Sequence, residues 1–588
     1  MKTKAEIYRD SHPGRIVVET DFRLKESVKA VPGAKWDADN RVWTVPLSWP
    51  SALALREEFG ADLVLGDVLT AWGKKTGATK AYLRALRSLI EEPPAHIEDL
   101  TLPGFAELYP YQKVGAELIR VAGRYLFFDE TGAGKSRTAL AGLSALAGES
   151  ATDGKDIFPV LIVAPKSMLR TWRTEIKGFF PGATVQIVEG SPMVVDALLA
   201  EIADFYIISY DTARLRSRHA PFPTVKLTEA EKTDGPLQKI AFKTLIADEA
   251  HRIKNPKSKR TRALWHLAKE ADNIIGLTGT PIQDTPEDLW SLLRFIAPDE
   301  YPVKTGFIER YCNVTFNYWG AREILGINPG RADEFFGNLD ARSRRITKEA
   351  ALPFLPEKIY ETRWVTLPAK HRKLYDDVEK RMFASTLDGE DVIAVGSVLE
   401  KAGRLVQIAN AAGHIDTEGV FHMDAKNSPK VDSFMEDVLD GDYDGQQVVV
   451  FSDSRKLLEL AAGAMTKAKI GYTMITGDVT GEDREAAMES FQKGEVPFIL
   501  LTRAGGEGIT LTAASTMVRL VRSWSYTVHT QAEDRVHRIG SEKHETVRYV
   551  DYLVEDTVEE GQLARLSSKE KRAQEVLRDK DLMEMLSK

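Results

Sequence analysis

Residues Tyr125–Leu140 read YLFFDETGAGKSRTAL: four apolar residues, a glycine-bearing turn, then a run that favours helix. A strand, a tight loop and a helix in that order gather backbone N–H groups and a helix N-terminus around one point, where they hold phosphate oxygens. Lys135 suits the β- and γ-phosphates of a nucleotide and Ser136 suits Mg2+, while Thr131, Gly132, Ala133 and Gly134 form the loop that approaches them. The usual spacing, Gly-x-x-x-x-Gly-Lys-Ser/Thr, is met only at its end. Asp129 stands five residues before Gly134, where the first glycine belongs. A Gly-Lys-Ser tripeptide is also a common surface turn, so the flanking strand and helix carry the reading.

A second signal follows the apolar run KTLIA (243–247), which leads into Asp248-Glu249-Ala250-His251. Adjacent side chains at a strand end point to opposite sides, so Asp248 can reach a hydrated Mg2+ while Glu249 polarises an attacking water. On a helix the same residues would be an ordinary acidic surface pair. After a strand, in a chain that carries the first loop, the catalytic reading takes precedence. Further short apolar runs, VLIVA (160–164) and FYIISY (205–210), alternate with amphipathic stretches, as buried strands of a parallel sheet do with crossover helices. A charged, helical region is expected from about Asp284 to Phe354, after which VVVFS (448–452), TMIT (473–476), FILLT (498–502) and MVRLV (517–521) renew the strand pattern.

Composition bounds the class. The chain has 588 residues, 43% hydrophobic and 28% charged, enough for several globular domains. No run of eighteen uncharged apolar residues occurs, and the opening MKTKAEIYRDSHPGR lacks the apolar core of a signal peptide. Cys312 is the sole cysteine, which excludes an internal disulfide and a cysteine zinc site and fits a reducing compartment. A net charge of −8 argues against a uniformly polyanion-binding surface but leaves room for a basic track. The expected location is the cytoplasm or nucleoid, neither secreted nor in a membrane.

The motifs, taken in order, resemble those of the Swi/Snf-type ATPases within helicase superfamily two. YPYQ (109–112), DETGAGKS (129–136), VLIVAPKSMLRTWRTEI (160–176), DFYIISYDTAR (204–214), DEAHRIKN (248–255) and LTGTPIQDTPEDLWSLLRFIAP (277–298) match the first half of the family pattern. RSRRITKE (342–349) before LPEK (355–358) resembles its arginine-rich segment. VVVFSDSRK (448–456), ITGDVTGEDREAAMESFQ (475–492), LLTRAGGEGITLTAAS (500–515) and QAEDRVHRIG (531–540) complete the set, and the likeness spans roughly residues 105–575. Asp129 is what that family carries in place of the first glycine. The resemblance implies an α/β fold of two RecA-like parallel-sheet lobes with helical insertions, plus a small α+β N-terminal module. Its parts are residues 1–95 (accessory module), 96–355 (first lobe, helical protrusion about 300–350) and 356–588 (second lobe, helical insertion about 365–430 and a C-terminal helical brace).

The resemblance also implies roles. Gln112 reads adenine, and Arg535 and Arg538, three residues apart and on one face if helical, act across the cleft as arginine fingers; a solvated basic face is the plain alternative. Thr278, Gly279 and Thr280 link the ATP site to the DNA track, or form a simple turn. Gly505, Gly506 and Gly508 approach phosphate, or are ordinary turn glycines. Five of nine residues from Arg252 to Arg260 are basic, and with Lys166, Ser167, Ser209, Lys254, Arg344, Arg345 and Thr502 they are candidates for nucleic-acid backbone contacts. A run of this kind is elsewhere a solvated face. Asp284, Glu507 and Ser541 depart from the family pattern, and an acidic Glu507 sits awkwardly beside a phosphate path.

In the N-terminal module, Trp36 and Trp43 flank a turn-like Asp-Ala-Asp-Asn-Arg, predicting a hairpin that resembles the HARP-type modules of annealing helicases. Two readings stand: both tryptophans fill a small core, the reading favoured here, or with Lys35 and Arg41 they meet bases and phosphates. The chain is thus expected to be an ATP- and Mg2+-dependent DNA translocase on duplex, forked or junction DNA, a monomer of the compact prokaryotic or phage type. A strand-separating DNA or RNA helicase and a non-catalytic DNA-binding regulator are the rival classes.

Overall fold

The computed structural model describes residues 2–563 except 9, 99, 154–155, 283–284, 317–321, 385–397, 416–420, 424–427, 480 and 507–508. The described residues up to Ala351 pack as one unit, and those from Leu352 onward pack as a second. Among them, no helix is long and apolar enough to cross a membrane.

The first unit is built on a seven-stranded parallel sheet. Across it run Ser343–Arg344, Arg124–Phe127, Asn273–Leu277, Thr244–Asp248, Val160–Ala164, Phe205–Ser209 and Val185–Val188. The central strands are largely apolar because both faces are covered: Tyr125 and Phe127 enter one core, while Leu126 and Phe128 enter the other. Crossover helices have the matching stripe. Helix Leu169–Phe179 buries Leu169, Trp172, Ile176 and Phe179, all on one side. Parallel strands all point their carboxyl ends one way, which gathers the loop after Arg124–Phe127 and the acidic end of Thr244–Asp248 on the same edge, one strand apart.

The region expected to be helical is mixed. Helices Asp288–Ile296, Lys304–Tyr311 and Ala332–Asp340 are present, but Cys312–Phe316 and Arg322–Ile327 pair as an antiparallel hairpin. Its residues alternate only weakly between apolar and polar, so the period that marks a strand is faint in the sequence. RSRR contributes Ser343–Arg344 as the edge strand of the main sheet.

The N-terminal residues form a five-stranded sheet ordered Lys35–Asp37, Val42–Pro46, Arg15–Glu19, Thr3–Glu6 and Leu63–Leu65, over a core that includes Ile16, Val18, Val45 and Leu55. Asp37 shapes the hairpin by accepting hydrogen bonds from the backbone N–H groups of Asp39 and Asn40 and from the Asn40 amide. Trp36 faces Trp43 across the strands, with ring centres 5.4 Å apart. The core-filling reading needs correction: Trp36, on the edge strand, is 51% exposed, and only Trp43 packs against the core. This sheet and the long helix Asp67–Arg87 are tied to the rest of the unit. Glu57 pairs with Arg310 and Arg331, Arg87 with Asp340, and the Arg84 guanidinium donates to the carbonyl of Gly337.

The second unit has a six-stranded parallel sheet ordered Glu357–Val365, Thr546–Val554, Thr516–Val521, Val448–Ser452, Phe498–Thr502 and Tyr472–Ile475. In the expected insertion lie helices Ala369–Ala384 and Val398–Asn410 and a short hairpin, Gly413–Ile415 with Phe421–Met423. The expected C-terminal brace lies largely outside the described residues. Buried charges organise this sheet. Arg519 donates to both oxygens of Asp551 at 2.7 Å and to Glu533 at 2.6 Å, and Glu533 also accepts from Lys358 and Tyr360. Burial alone would raise both carboxyls. Lys358 and Arg519 hold Glu533, and Arg519 and Arg522 hold Asp551, down at about 2. Both are more acidic in the fold than their ordinary values of 4.5 and 3.8. The stabilisation is therefore complete above those values and lost as pH falls toward about 2. A thermal-denaturation series against pH should show the midpoint falling steeply in that window, with a shallower slope in Glu533→Gln.

Candidate nucleotide site

The loop begins where strand Arg124–Phe127 ends, and the sheet edge grips it there. The N–H groups of Leu126, Phe128 and Glu130 donate to the carbonyls of Arg342, Arg344 and Ile346. Asp129, the residue in the missing glycine's place, is 1% exposed and pairs with Arg344, which is wholly buried. Arg344 reaches the two Asp129 oxygens at 2.5 and 3.3 Å and donates to the Tyr111 carbonyl at 2.6 Å. Asp129 therefore fastens the root of the loop. Arg344 cannot serve as a nucleic-acid contact, because a guanidinium without solvent access has no reach to a phosphate. Arg345 is turned inward too, donating to the Phe128 carbonyl and pairing with Glu130.

Past this anchor, Gly132 and Gly134 take positive φ values of 90° and 69°. A Cβ on Gly134 would meet the Gln112 amide nitrogen at 2.3 Å. Gln112 is 2% exposed, accepts from the Tyr109 N–H at 3.0 Å and donates to the Ala133 carbonyl at 3.3 Å. It therefore braces the loop as well as standing where adenine recognition was expected. Lys135 opens helix Lys135–Asp153, with its ammonium on the carbonyls of Asp129 (2.8 Å) and Glu130 (3.0 Å). Ser136 follows in the same first turn, where helix N–H groups lack intrahelical acceptors.

Asp248 ends its strand almost buried. Its carboxylate accepts from the Trp172 indole N–H at 2.9 Å and from the Glu249 N–H at 3.0 Å, while Tyr210 holds its carbonyl at 2.6 Å. Burial, then the neighbouring Glu249, raises the Asp248 carboxyl above the ordinary range. Glu249 itself is left-handed, φ 52° and ψ 51°, a strained backbone for a side chain of its size. That conformation sends its carboxylate to His251, 3.2 Å away, whose Nδ1 lies 3.1 Å from the Thr278 hydroxyl. Thr278 also accepts from the Thr280 N–H. The Thr-Gly-Thr turn thus connects through His251 to the acidic pair. A desolvated carboxylate beside a second one suits a divalent cation, whose charge would offset both.

Other expected residues are disposed differently. Arg535 and Arg538 do not share a helical face: helix Tyr526–Glu533 ends before them, and both lie half-buried in the following turn. Burial of Val536, and a hydrogen bond between the His537 ring and the Pro356 carbonyl, draw the chain out of the helix. In the basic run, Lys254, Lys259 and Arg260 pair with Asp288, Glu231 and Asp211. Lys166 is exposed and pairs with Glu189, with Ser167 beside it. The hydroxyls of Ser209 and Thr502 accept backbone N–H groups of their own turns, from Thr212 and Gly505. A Cβ on Gly505 would meet the Ile475 carbonyl at 2.0 Å, so that glycine serves packing; Gly506 is buried beside it. Asp284, Glu507 and Gly508 lie outside the described residues.

Sequence reasoning missed Trp172, Tyr210 and the inward role of Arg344. Trp172 carried a signal, since it falls on the apolar stripe of its helix at a position where an indole N–H needs an acceptor.

A phosphate loop and an acidic strand end on one edge of a parallel sheet define a nucleoside-triphosphate-binding lobe. The family described as SNF2-related domain matches residues 111–414, and the helicase conserved C-terminal domain matches residues 430–540. The chain belongs to the SNF2-related family. It is 28% identical to YwqA of Bacillus subtilis (strain 168), over 86% of this chain and 53% of that protein. It is 27% identical to a Caenorhabditis elegans SWI/SNF-related matrix-associated actin-dependent regulator of chromatin subfamily A-like protein 1 homolog, over 89% of this chain and 69% of that one. A Bos taurus protein named DNA annealing helicase and endonuclease ZRANB3 is 26% identical over 76% of this chain, which covers 38% of it. The chain thus spans about half the length of several curated relatives that it matches.

Two outcomes follow from the geometry. Arg344→Ala, which strands a buried carboxylate, should cost about 3–5 kcal/mol in urea denaturation. Trp172→Phe keeps the ring in the core but removes the donor to Asp248. It should lower kcat for ATP hydrolysis and shift its Mg2+ dependence, while the circular dichroism spectrum stays that of the parent.

Proposed function

We propose that the chain is an ATP-dependent DNA translocase that hydrolyses ATP while engaged on duplex or forked DNA, remodelling or annealing it without processive strand separation. The observation that carries the reading is the placement of Lys135 and the acidic pair Asp248–Glu249 on one edge of the first sheet, one strand apart. Family membership and the relative named as an annealing helicase support it. In this reading, Lys135 leaves the carbonyls of Asp129 and Glu130 to hold the β- and γ-phosphates beside the first-turn N–H groups. Ser136 and Asp248 would hold Mg2+, which when bound would supply charge neutralisation for the phosphates. Glu249 orients water against the γ-phosphate, and His251 and Thr278 fix the direction of its carboxylate. Arg535 and Arg538 are the arginines to which the family resemblance assigns stabilisation of charge that develops during hydrolysis. Lys166, Ser167 and the basic run from Arg252 to Arg260 contribute to the DNA track, and exposed Trp36 with Lys35 and Arg41 offers a contact to bases.

Steady-state ATP hydrolysis measured alone and with single-stranded DNA, blunt duplex, forked duplex and RNA tests the reading. Duplex or fork should stimulate the wild type most, and Lys135→Ala should lose the activity. Stimulation by single strands or RNA alone, with ATP-dependent displacement from a tailed duplex, would replace the translocase by a strand-separating helicase. No stimulation under any condition would leave a DNA-binding regulator.

A further inference from the structure

A cavity of about 520 Å3 opens in the first unit between helix Asp67–Arg87, the end of helix Pro110–Ala122 and the turn before strand Ser343–Arg344. Its size is that of a site for a small organic molecule. Val68, Trp72, Leu83 and Val121 give it apolar walls, and Thr76 and Thr79 add hydroxyls. Three cations line it: Lys75, Lys80 and Arg342.

Lys80 is the unusual member. It is 5% exposed, and its ammonium has no hydrogen-bond partner. The nearest carboxylate oxygen, on Glu300, stands 4.0 Å away, and Glu300 is already engaged by Arg342 at 2.6 and 3.4 Å. Burial, with Arg342 and Arg84 adding repulsion against the pull of Glu300, draws the Lys80 ammonium down to about 8. A structural ion pair would bring the ammonium to hydrogen-bond distance; here one carboxylate serves two cations, and the guanidinium has the better share. The positive charge left over belongs to a residue that lines an otherwise largely apolar cavity.

We propose that this cavity binds a small organic anion, with its carboxylate, sulfonate or phosphate head on Lys80 and a flat apolar body along Trp72 and Val121. The Thr76 hydroxyl lines the same space, while the Thr79 hydroxyl donates to the Lys75 carbonyl, and Lys75 lies at the rim. Excess cation, matched apolar walls and a volume in the range of ligand sites together specify this class rather than a neutral or cationic one.

The test uses the full chain and 8-anilinonaphthalene-1-sulfonate, an aromatic anion whose fluorescence rises in an apolar site. Wild type should bind one equivalent saturably, unaffected by Mg·ADP. Lys80→Met should weaken binding about tenfold or more, the loss of one charge-assisted hydrogen bond. It should unfold at no lower temperature, because methionine in place of an under-compensated buried charge is neutral or stabilising. Thr76→Phe, which fills the space from a half-buried position, should abolish binding with Lys80 intact. Absence of saturable binding, competition by Mg·ADP, or undiminished affinity in Lys80→Met would each overturn the proposal.

Discussion

A carboxylate and a guanidinium sealed from water must satisfy each other, and in the first unit the pair Asp129–Arg344 holds three distant segments to that condition. Asp129 begins the phosphate loop, Arg344 lies on the edge strand, and the Tyr111 carbonyl at the start of the preceding helix takes the remaining guanidinium bond. A buried ion pair of this kind adds little net stability over an apolar filling. It does make every arrangement that separates the partners expensive, so it specifies one position for the loop. Gln112, the loop carbonyls and Lys135 then assemble around a root that cannot wander.

The acidic side of the site obeys a different constraint. Two carboxylates in sequence at a strand end repel, and the fold separates them by twisting Glu249 into the left-handed region and handing its side chain to His251. Asp248 stays in the protein, held by an indole, with its charged form disfavoured by burial. Strain on one residue and desolvation on its neighbour are both costs to the empty fold, and a divalent cation would recover part of each.

Much of this architecture was legible because its signals are local. Strand, loop and helix at Tyr125–Leu140, the strand into Asp248 and the renewed apolar runs after residue 448 each declare themselves within a dozen residues. What the sequence concealed depends on partners far along the chain. Arg344 looks like a surface cation until Asp129, 215 residues away, is placed beside it. The basic run after the acidic pair reads as an open track, yet Asp211, Glu231 and Asp288 close on it from other elements. Arg535 and Arg538 have helical spacing in a segment that tertiary contacts of Val536 and His537 pull into a turn. The hairpin Cys312–Ile327 was hidden by composition, its charged residues masking a weak alternation.

The hydrogen bond from Trp172 to Asp248 has one more consequence. An indole ring is a chromophore whose emission responds to the electric field across it, and its N–H here ends on the Asp248 carboxylate. Whatever neutralises that carboxylate, a proton or a metal ion, alters the field at the ring from 2.9 Å away. The protein carries an optical gauge of its own acidic strand end in one of its ten tryptophans.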